Sequence, residues 1–345
     1  MSKIPFLLLG DGPAEPTGLG RIARDLASQL LTSDLPLDLV QVGGSTPPVW
    51  SAWRHVPLDR GEDWGAQSVR HIYESLWGET PGILFAVWDP ARLYAYTQVE
   101  MPVQKWAYCA IDGENVNGMI SGPAGVAVQQ FDRVLAYGRY GAEVLKRTLG
   151  GRQVQWLPHG VSTCTYSTST SQAQEWAAKR LGPHAIGKTV LGCVMTNQPR
   201  KDHSLLFECA QQLLHRGWPV YVWLHTDTLV KDWAIVQLVE DFGLAKRVTV
   251  TGTEGVALSD QEMAALYQAC DVTLLPSLGE GFGYPIVESL ASGRPVVHSQ
   301  CAGGETYVPR SEWKVPVRER RIESVYGICR PVMRAEDWAN AVERA

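Results

Sequence analysis

Two glutamates stand eight positions apart in "LPSLGEGFGYPIVESLASGRPVV", residues 275–297, Glu280 among glycines and Glu288 beyond them. Apolar runs flank the pair, so "VTLLPS" reads as a strand end and "LGEGFGY" as a turn in which Gly279, Gly281 and Gly283 are free to take positive φ. "YPIVESLAS" then reads as a helix with Pro285 as its first residue and Gly293 as its stop. The unpaired N–H groups at such a helix start, joined by those of the turn, make an anion site suited to phosphate. Carboxylates do not take phosphate; they accept hydrogen bonds from paired hydroxyls, as a sugar ring or a ribose offers. Phosphate-binding amides flanked by two hydroxyl-binding carboxylates describe a place for a nucleotide sugar.

A second group sits in "TNQPRKDH", residues 196–203. Arg200 and Lys201 come just before a helix that Asp202 would cap, so a fork and a point charge can both reach a diphosphate and stabilise it as it leaves. A third stretch, "GDGPAEPTGLGR" at 10–21, has glycines in a loop before a helix, but no GK[ST], and Glu15 occupies the third glycine's place in GxGxxG. "WAYCAIDGEN", residues 106–115, ends a strand with Asp112 and Glu114, where an Asp-Gly turn is the structural alternative. Asp-x-Asp, HExxH and GxSxG are absent, so the chemistry requires no metal and no serine nucleophile.

The elements that must position these residues are short apolar runs alternating with amphipathic ones, which predicts βα units and a parallel sheet. Strands are expected at "PFLLLG", "LDLVQVG", "GILFAVW", "QKWAYCAI" and "RVLAYG", with helices at "GLGRIARDLASQLLT" and "RYGAEVLKRTLGG", and "VQWLPHGV" closes this first series. "STCTYSTSTSQAQ", residues 162–174, is dense in Ser and Thr without a hydrophobic period and is expected to be a loop or linker. The pattern then restarts with "KTVLGCVMTN", "DHSLLFECAQQLLHRG" and "PVYVWLHT", followed by "RVTVTG", "DQEMAALYQAC", "VTLLPS" and "PVVHS". The expected domains are 1–161, a linker at 162–187, and 188–345: two Rossmann-like α/β domains whose parallel sheets face a central cleft, with ligands beyond the carboxyl ends of the strands.

The whole chain sets limits consistent with this. Its 345 residues exceed what one core normally serves. A net charge of −5 removes the bulk electrostatic argument for nucleic acid. Seven cysteines form no CxxC pair, and no apolar stretch is long enough to span a bilayer, so a cytoplasmic protein with reduced thiols is expected. Five of the thirteen tryptophans crowd the first third, at Trp50, Trp53, Trp64, Trp77 and Trp88, where core packing is the simpler account and stacking on a sugar or base the other.

"GEGFGYPIVESLASGRPVV" resembles the Glu-x7-Glu motif of the GT-B glycosyltransferases, in particular glycosyltransferase family 4. "GLGRIARDLASQL", "DRVLAYGRYGAEVLKR" and "LPHGVS" resemble that family's first glycine loop, its late N-domain segment and its interdomain crossing, so the resemblance runs through nearly the whole chain. It implies a GT-B fold and a metal-independent transfer of sugar from a nucleoside diphosphate sugar, UDP- or GDP-linked, with retention of configuration. By the same resemblance the 1–161 domain is the acceptor side and the 188–345 domain binds the donor. Carried over by position, Glu280 binds donor-sugar hydroxyls, Gly281, Phe282, Gly283 and Tyr284 line the diphosphate, and Glu288 holds the ribose. Gly18, Leu19 and Gly20 approach the donor phosphates, with Arg21 beside them, Thr253 in "TGTEG" touches the base, and Asp112 meets sugar or acceptor. The family usually has an Arg about five residues before the Lys; Thr196 stands there, and Arg200 beside Lys201 is assigned instead. His159 at the crossing is expected to be structural. The acceptor is left open between a glycan, a lipid or small molecule, and a hydroxyl-bearing DNA base as in phage-type DNA glycosyltransferases, for which the Trp- and Pro-rich 43–65 segment and "RERR" at 318–321 leave room. The alternative is a nucleotide-sugar-binding protein without transfer, or a GT-B epimerase.

Overall fold

The computed structural model describes residues 3–44, 51–58, 61, 64–253, 257–323 and 327–345. Trp50, and parts of the expected acceptor and base-contacting segments (45–50, 59–60, 62–63 and Glu254–Gly255), lie outside the described residues. The chain divides into two compact units, one of residues 1–159 with 322–328, the other of 160–321 with 329–345.

The first unit carries strands β1 (Ile4–Leu9), β2 (Leu37–Val42), β3 (Arg54–Val56), β4 (Gly82–Trp88), β5 (Val103–Cys109), β6 (Arg133–Ala136) and β7 (Gln155–Trp156). They form one parallel sheet in the order β3-β2-β1-β4-β5-β6-β7. Its helices are α1 (Gly18–Leu31), α2 (Ala66–Trp77), α3 (Pro90–Leu93), α4 (Gly122–Gln129) and α5 (Arg139–Thr148). Leu7, Leu9, Leu84, Ala86, Trp88 and Ala107 of the inner strands are fully buried, as a parallel sheet covered on both faces requires. Trp88 is part of that core, Trp64 and Trp77 pack against it, and Trp77 donates to Asp38 at 2.6 Å. The core reading of these tryptophans is the one the structure supports.

The second unit repeats the construction with α6 (Thr163–Ser167), α7 (Ser171–Leu181), β8 (Thr189–Val194), α8 (His203–His215), β9 (Val220–His225), α9 (Ile235–Asp241) and β10 (Val248–Thr251). It continues with α10 (Asp260–Gln268), β11 (Val272–Leu275), α11 (Tyr284–Ala291), β12 (Val296–Ser299) and β13 (Lys314–Val315). The six strands form a parallel sheet in the order β10-β9-β8-β11-β12-β13. A two-stranded sheet of β14 (Glu319–Ile322) and β15 (Cys329–Val332) precedes the last helix, α12 (Ala335–Arg344). No helix among the described residues is long and apolar enough to cross a membrane.

The loop expected at 162–174 is instead helical. Its serines and threonines are caps: Ser162 accepts from the amide of Thr165, and Thr170 from that of Ala173 at 3.1 Å. Between the caps, Tyr166, Ala173, Ala177 and Leu181 join an apolar cluster with Tyr267 and Trp223, so α6 and α7 pack as part of the second unit rather than link it to the first. On another cluster of that unit, Trp338 of α12 is fully buried beside Leu205, Leu206 and Leu213 of α8. Trp338→Ala should therefore lower stability by about 3–5 kcal/mol, read as a reduced denaturation midpoint.

Candidate active site

In the second sheet the chain runs outward from β8 through β9 to β10, then returns to lay β11 against the other side of β8. The order reverses between β8 and β11, and in an open parallel sheet the loops leaving two such strands diverge and open a crevice at their carboxyl ends. The β8 loop contains Arg200 and Lys201; the β11 loop contains Glu280. Local backbone pairing ties the two loops together. Lys201 and Ser277 form an antiparallel bridge, Leu278 N donates to Arg200 O at 2.8 Å, and Asp202 N donates to Pro276 O at 3.0 Å. Asp202 caps α8 through the amide of Leu205 at 3.0 Å, which fixes where the cations emerge. Buried Asn197 secures the same loop from behind, its amide nitrogen donating to the carbonyls of Thr228 and Trp233.

The structure thereby brings Arg200, Lys201 and Glu280 together. The Lys201 ammonium donates to Glu280 Oε1, and Arg200 Nη1 reaches the same oxygen at 3.3 Å and the Gly279 carbonyl at 2.8 Å. Lys201 and Glu280 are each 6% exposed. Burial pushes the Glu280 carboxyl up, but Lys201 and then Arg200 outweigh it and hold it at about 2. Two cations and one carboxylate give the three groups a net positive charge beside the glycine turn.

Of the three turn glycines only Gly283 takes positive φ, at 86°, and it precedes α11 with Tyr284 first and Pro285 second in the helix. Positive φ at one position is enough to swing the chain into the helix, so Gly279 and Gly281 keep ordinary backbone. Gly303 closes the turn from the other side, its amide donating to Glu280 O at 2.9 Å, and a Cβ there would lie 2.4 Å from Gly281 O. Phe282 is buried against Tyr284 and Tyr307, so only its backbone can serve a ligand in this arrangement. Glu288 lies in the second turn of α11, 5% exposed, and accepts from the hydroxyls of Tyr166 at 3.1 Å and Tyr267 at 2.9 Å. Thr253 follows β10, two strands away from the reversal.

The remaining assigned residues belong to the first unit, whose strand order reverses between β1 and β4. Gly18, Leu19 and Gly20 form the first turn of α1 rather than a free loop. Thr17 caps it, accepting from Gly20 N at 2.9 Å while donating to the buried Asp11 carboxylate. A Cβ on Gly20 would lie 2.5 Å from Glu15 O. Asp112 stands in the loop after β5, and Glu114 pairs with Arg147 at 2.7 Å. His159 hydrogen-bonds Tyr108 at 3.1 Å and packs edge-on against Tyr137; burial, with Arg21 nearby, lowers it to about 3, so it is neutral at physiological pH. In the basic run, Arg318 pairs with Asp337 at 3.3 Å and Arg321 with Glu319 at 3.7 Å.

Residues 188–344 match the model of the family described as Glycosyl transferases group 1. The D-inositol 3-phosphate glycosyltransferase of Mycobacteroides abscessus is 32% identical over 150 residues, 42% of this chain and 29% of that protein. The chain spans about a third of the length of the curated relatives it matches. Among solved structures, sucrose-phosphate synthase from Thermosynechococcus elongatus superposes with a TM-score of 0.75 at 17% identity, over 99% of this chain and 89% of that one. HepE of Anabaena, in complex with UDP and glucose, gives a TM-score of 0.70 at 17% identity over 89% and 83%. The fold is therefore the expected one, two Rossmann-like units with parallel sheets, shared with GT-B glycosyltransferases.

Sequence reasoning missed Ser277, Gly303, Tyr166 and Tyr267. A serine just past a strand, a glycine pair far along the chain, one tyrosine in a Ser- and Thr-rich stretch and another in an amphipathic one carry no local signal of a partner. Lys201→Met would leave the buried Glu280 carboxylate short of its main partner, at about 3–5 kcal/mol, whereas Arg200→Ala, at a 27%-exposed side chain, should cost much less; urea unfolding of both variants checks the order. The depressed Glu280 carboxyl stabilises the fold fully above pH 4.5, and that contribution, roughly 3 kcal/mol, is lost as the pH falls toward about 2. Wild type minus Glu280→Gln stability, measured from pH 6 to 2.5, should shrink along that curve.

Proposed function

We propose that this chain is a retaining glycosyltransferase that moves a sugar from UDP to the hydroxyl of a small acceptor. The observation that carries the proposal is the net positive Arg200–Lys201–Glu280 group at the strand-order reversal, joined directly to a glycine turn and the start of α11. A diphosphate placed there would meet two cations and the helix amides, with Glu280 at hand for sugar hydroxyls and Glu288 for the ribose. Support for UDP comes from HepE, which is similar in fold and whose structure holds UDP and glucose. Relatives named for D-inositol 3-phosphate support a polyol or sugar phosphate as acceptor.

The chemistry needs no nucleophile from the protein. The bond from the anomeric carbon to the diphosphate oxygen breaks, the acceptor oxygen bonds to the same face, and the departing diphosphate takes the acceptor proton. Catalysis then rests on positioning and on stabilising the charge that develops on the leaving oxygen. Arg200, Lys201 and the turn amides supply that stabilisation.

Saturating UDP, at ~100 times its dissociation constant, should add about 2.7 kcal/mol to the folded state, read as a thermal shift that GDP, ADP, TDP and CDP do not match. Arg200→Ala should keep the fold and reduce sugar release from UDP-glucose by about 100-fold or more. No shift with UDP, or undiminished turnover in Arg200→Ala, would sink the donor assignment.

A further inference from the structure

Glu288 is held by two tyrosines drawn from outside its own motif, 122 and 21 positions away in the chain. Tyr166 is 1% exposed and Tyr267 fully buried, and each donates its hydroxyl to a different oxygen of the carboxylate. Both residues are held by neighbours. Tyr267 packs edge-on against Trp223 with centroids 5.6 Å apart, and the Tyr166 backbone carbonyl accepts from Gln268 at 2.8 Å, with Ser169 donating to the same Gln268 at 2.6 Å. Burial first, then the Glu288 charge, push the Tyr267 phenol well above its ordinary value, so it is a donor at neutral pH.

We propose that Tyr166 and Tyr267 are positioning residues for ribose recognition, holding the Glu288 carboxylate in the plane in which it accepts from the 2′- and 3′-hydroxyls of the donor nucleotide. The proposal rests on the donor assignment made above and names what makes it precise. Packing alone does not account for the phenols, because phenylalanine would fill the same volume without burying two hydroxyls that each need a partner. Phenols orient a carboxylate without adding charge. Glu280, by contrast, is gripped by two cations, an arrangement suited to a site next to a diphosphate; a carboxylate meant for a neutral diol is better held by neutral donors, which leave it a strong acceptor. The alignment also limits the ordering the ligand must supply on binding.

The test titrates UDP and 2′,3′-dideoxy-UDP into the wild type, Tyr166→Phe, Tyr267→Phe and Glu288→Gln by calorimetry. The wild type should prefer UDP at least tenfold, Glu288→Gln should lose that preference, and each phenylalanine variant should bind UDP about three- to tenfold more weakly while binding the dideoxy compound within twofold of wild type. The ratio of the two affinities within one variant is the readout, because a general loss of folding weakens both ligands alike. A preference present in the wild type and intact in both phenylalanine variants overturns the role of the tyrosines alone. Equal affinity for the two compounds in the wild type overturns ribose binding by Glu288, and the proposal with it.

Discussion

A carboxylate with 6% exposure, shared by a lysine and an arginine, is the constraint around which the second unit is arranged. Such a charge cannot be left alone in a protein interior, and even when paired its desolvation is repaid only by good geometry and additional hydrogen bonds. Those conditions explain the backbone around it. The Lys201–Ser277 bridge and the two flanking amide bonds fix the cations relative to the strand that precedes Glu280, and Gly303 pins the carbonyl of Glu280 from the opposite side. A hydrophobic cluster in the same place would stabilise the fold more simply, so stability alone does not account for the ion group.

Much of this was legible in the sequence because the parallel sheets are buried on both faces. Strands β8, β9, β11 and β12 read as largely apolar runs, and α8 announced itself through Asp202 at its start and Gly217 beyond its end. Arg200, Lys201 and Glu280 could be selected because each stands just beyond a strand, where a parallel fold gathers its loops. What the sequence hid was either short or paired at long range. The three-residue β3 is too brief for a period, and the hydroxyl-rich stretch at 162–174 looked like a linker because capping residues and loop residues are the same amino acids. Only the tertiary position of Tyr166 tells the two apart.

The carboxylates of the Glu-x7-Glu pair also show why spacing alone underdetermines role. Eight residues apart, they differ in every partner: Glu280 faces cations from another loop, whereas Glu288 faces phenols from α6 and α10. A helix dipole near both would have treated them alike. Their environments differ because Glu280 precedes the helix, beside the cation-bearing loop, while Glu288 lies in its second turn, within reach of the phenols of α6 and α10.

Both units use one topology, with the strand order reversing beside the first strand of each, yet they furnish that point differently. After β8 come two cations, and the glycines follow β11. After β1 come the glycines themselves, and they are engaged by the protein: Gly20 N is bound by Thr17, which is bound in turn by the buried Asp11. A carboxylate buried at a helix start competes with any anion for the same positive end of the dipole. Excess positive charge lies at the reversal of the second sheet, a buried acid at that of the first. Identical architecture thus sets where the loops gather in each unit, while the charge placed at the strand ends differs between the two.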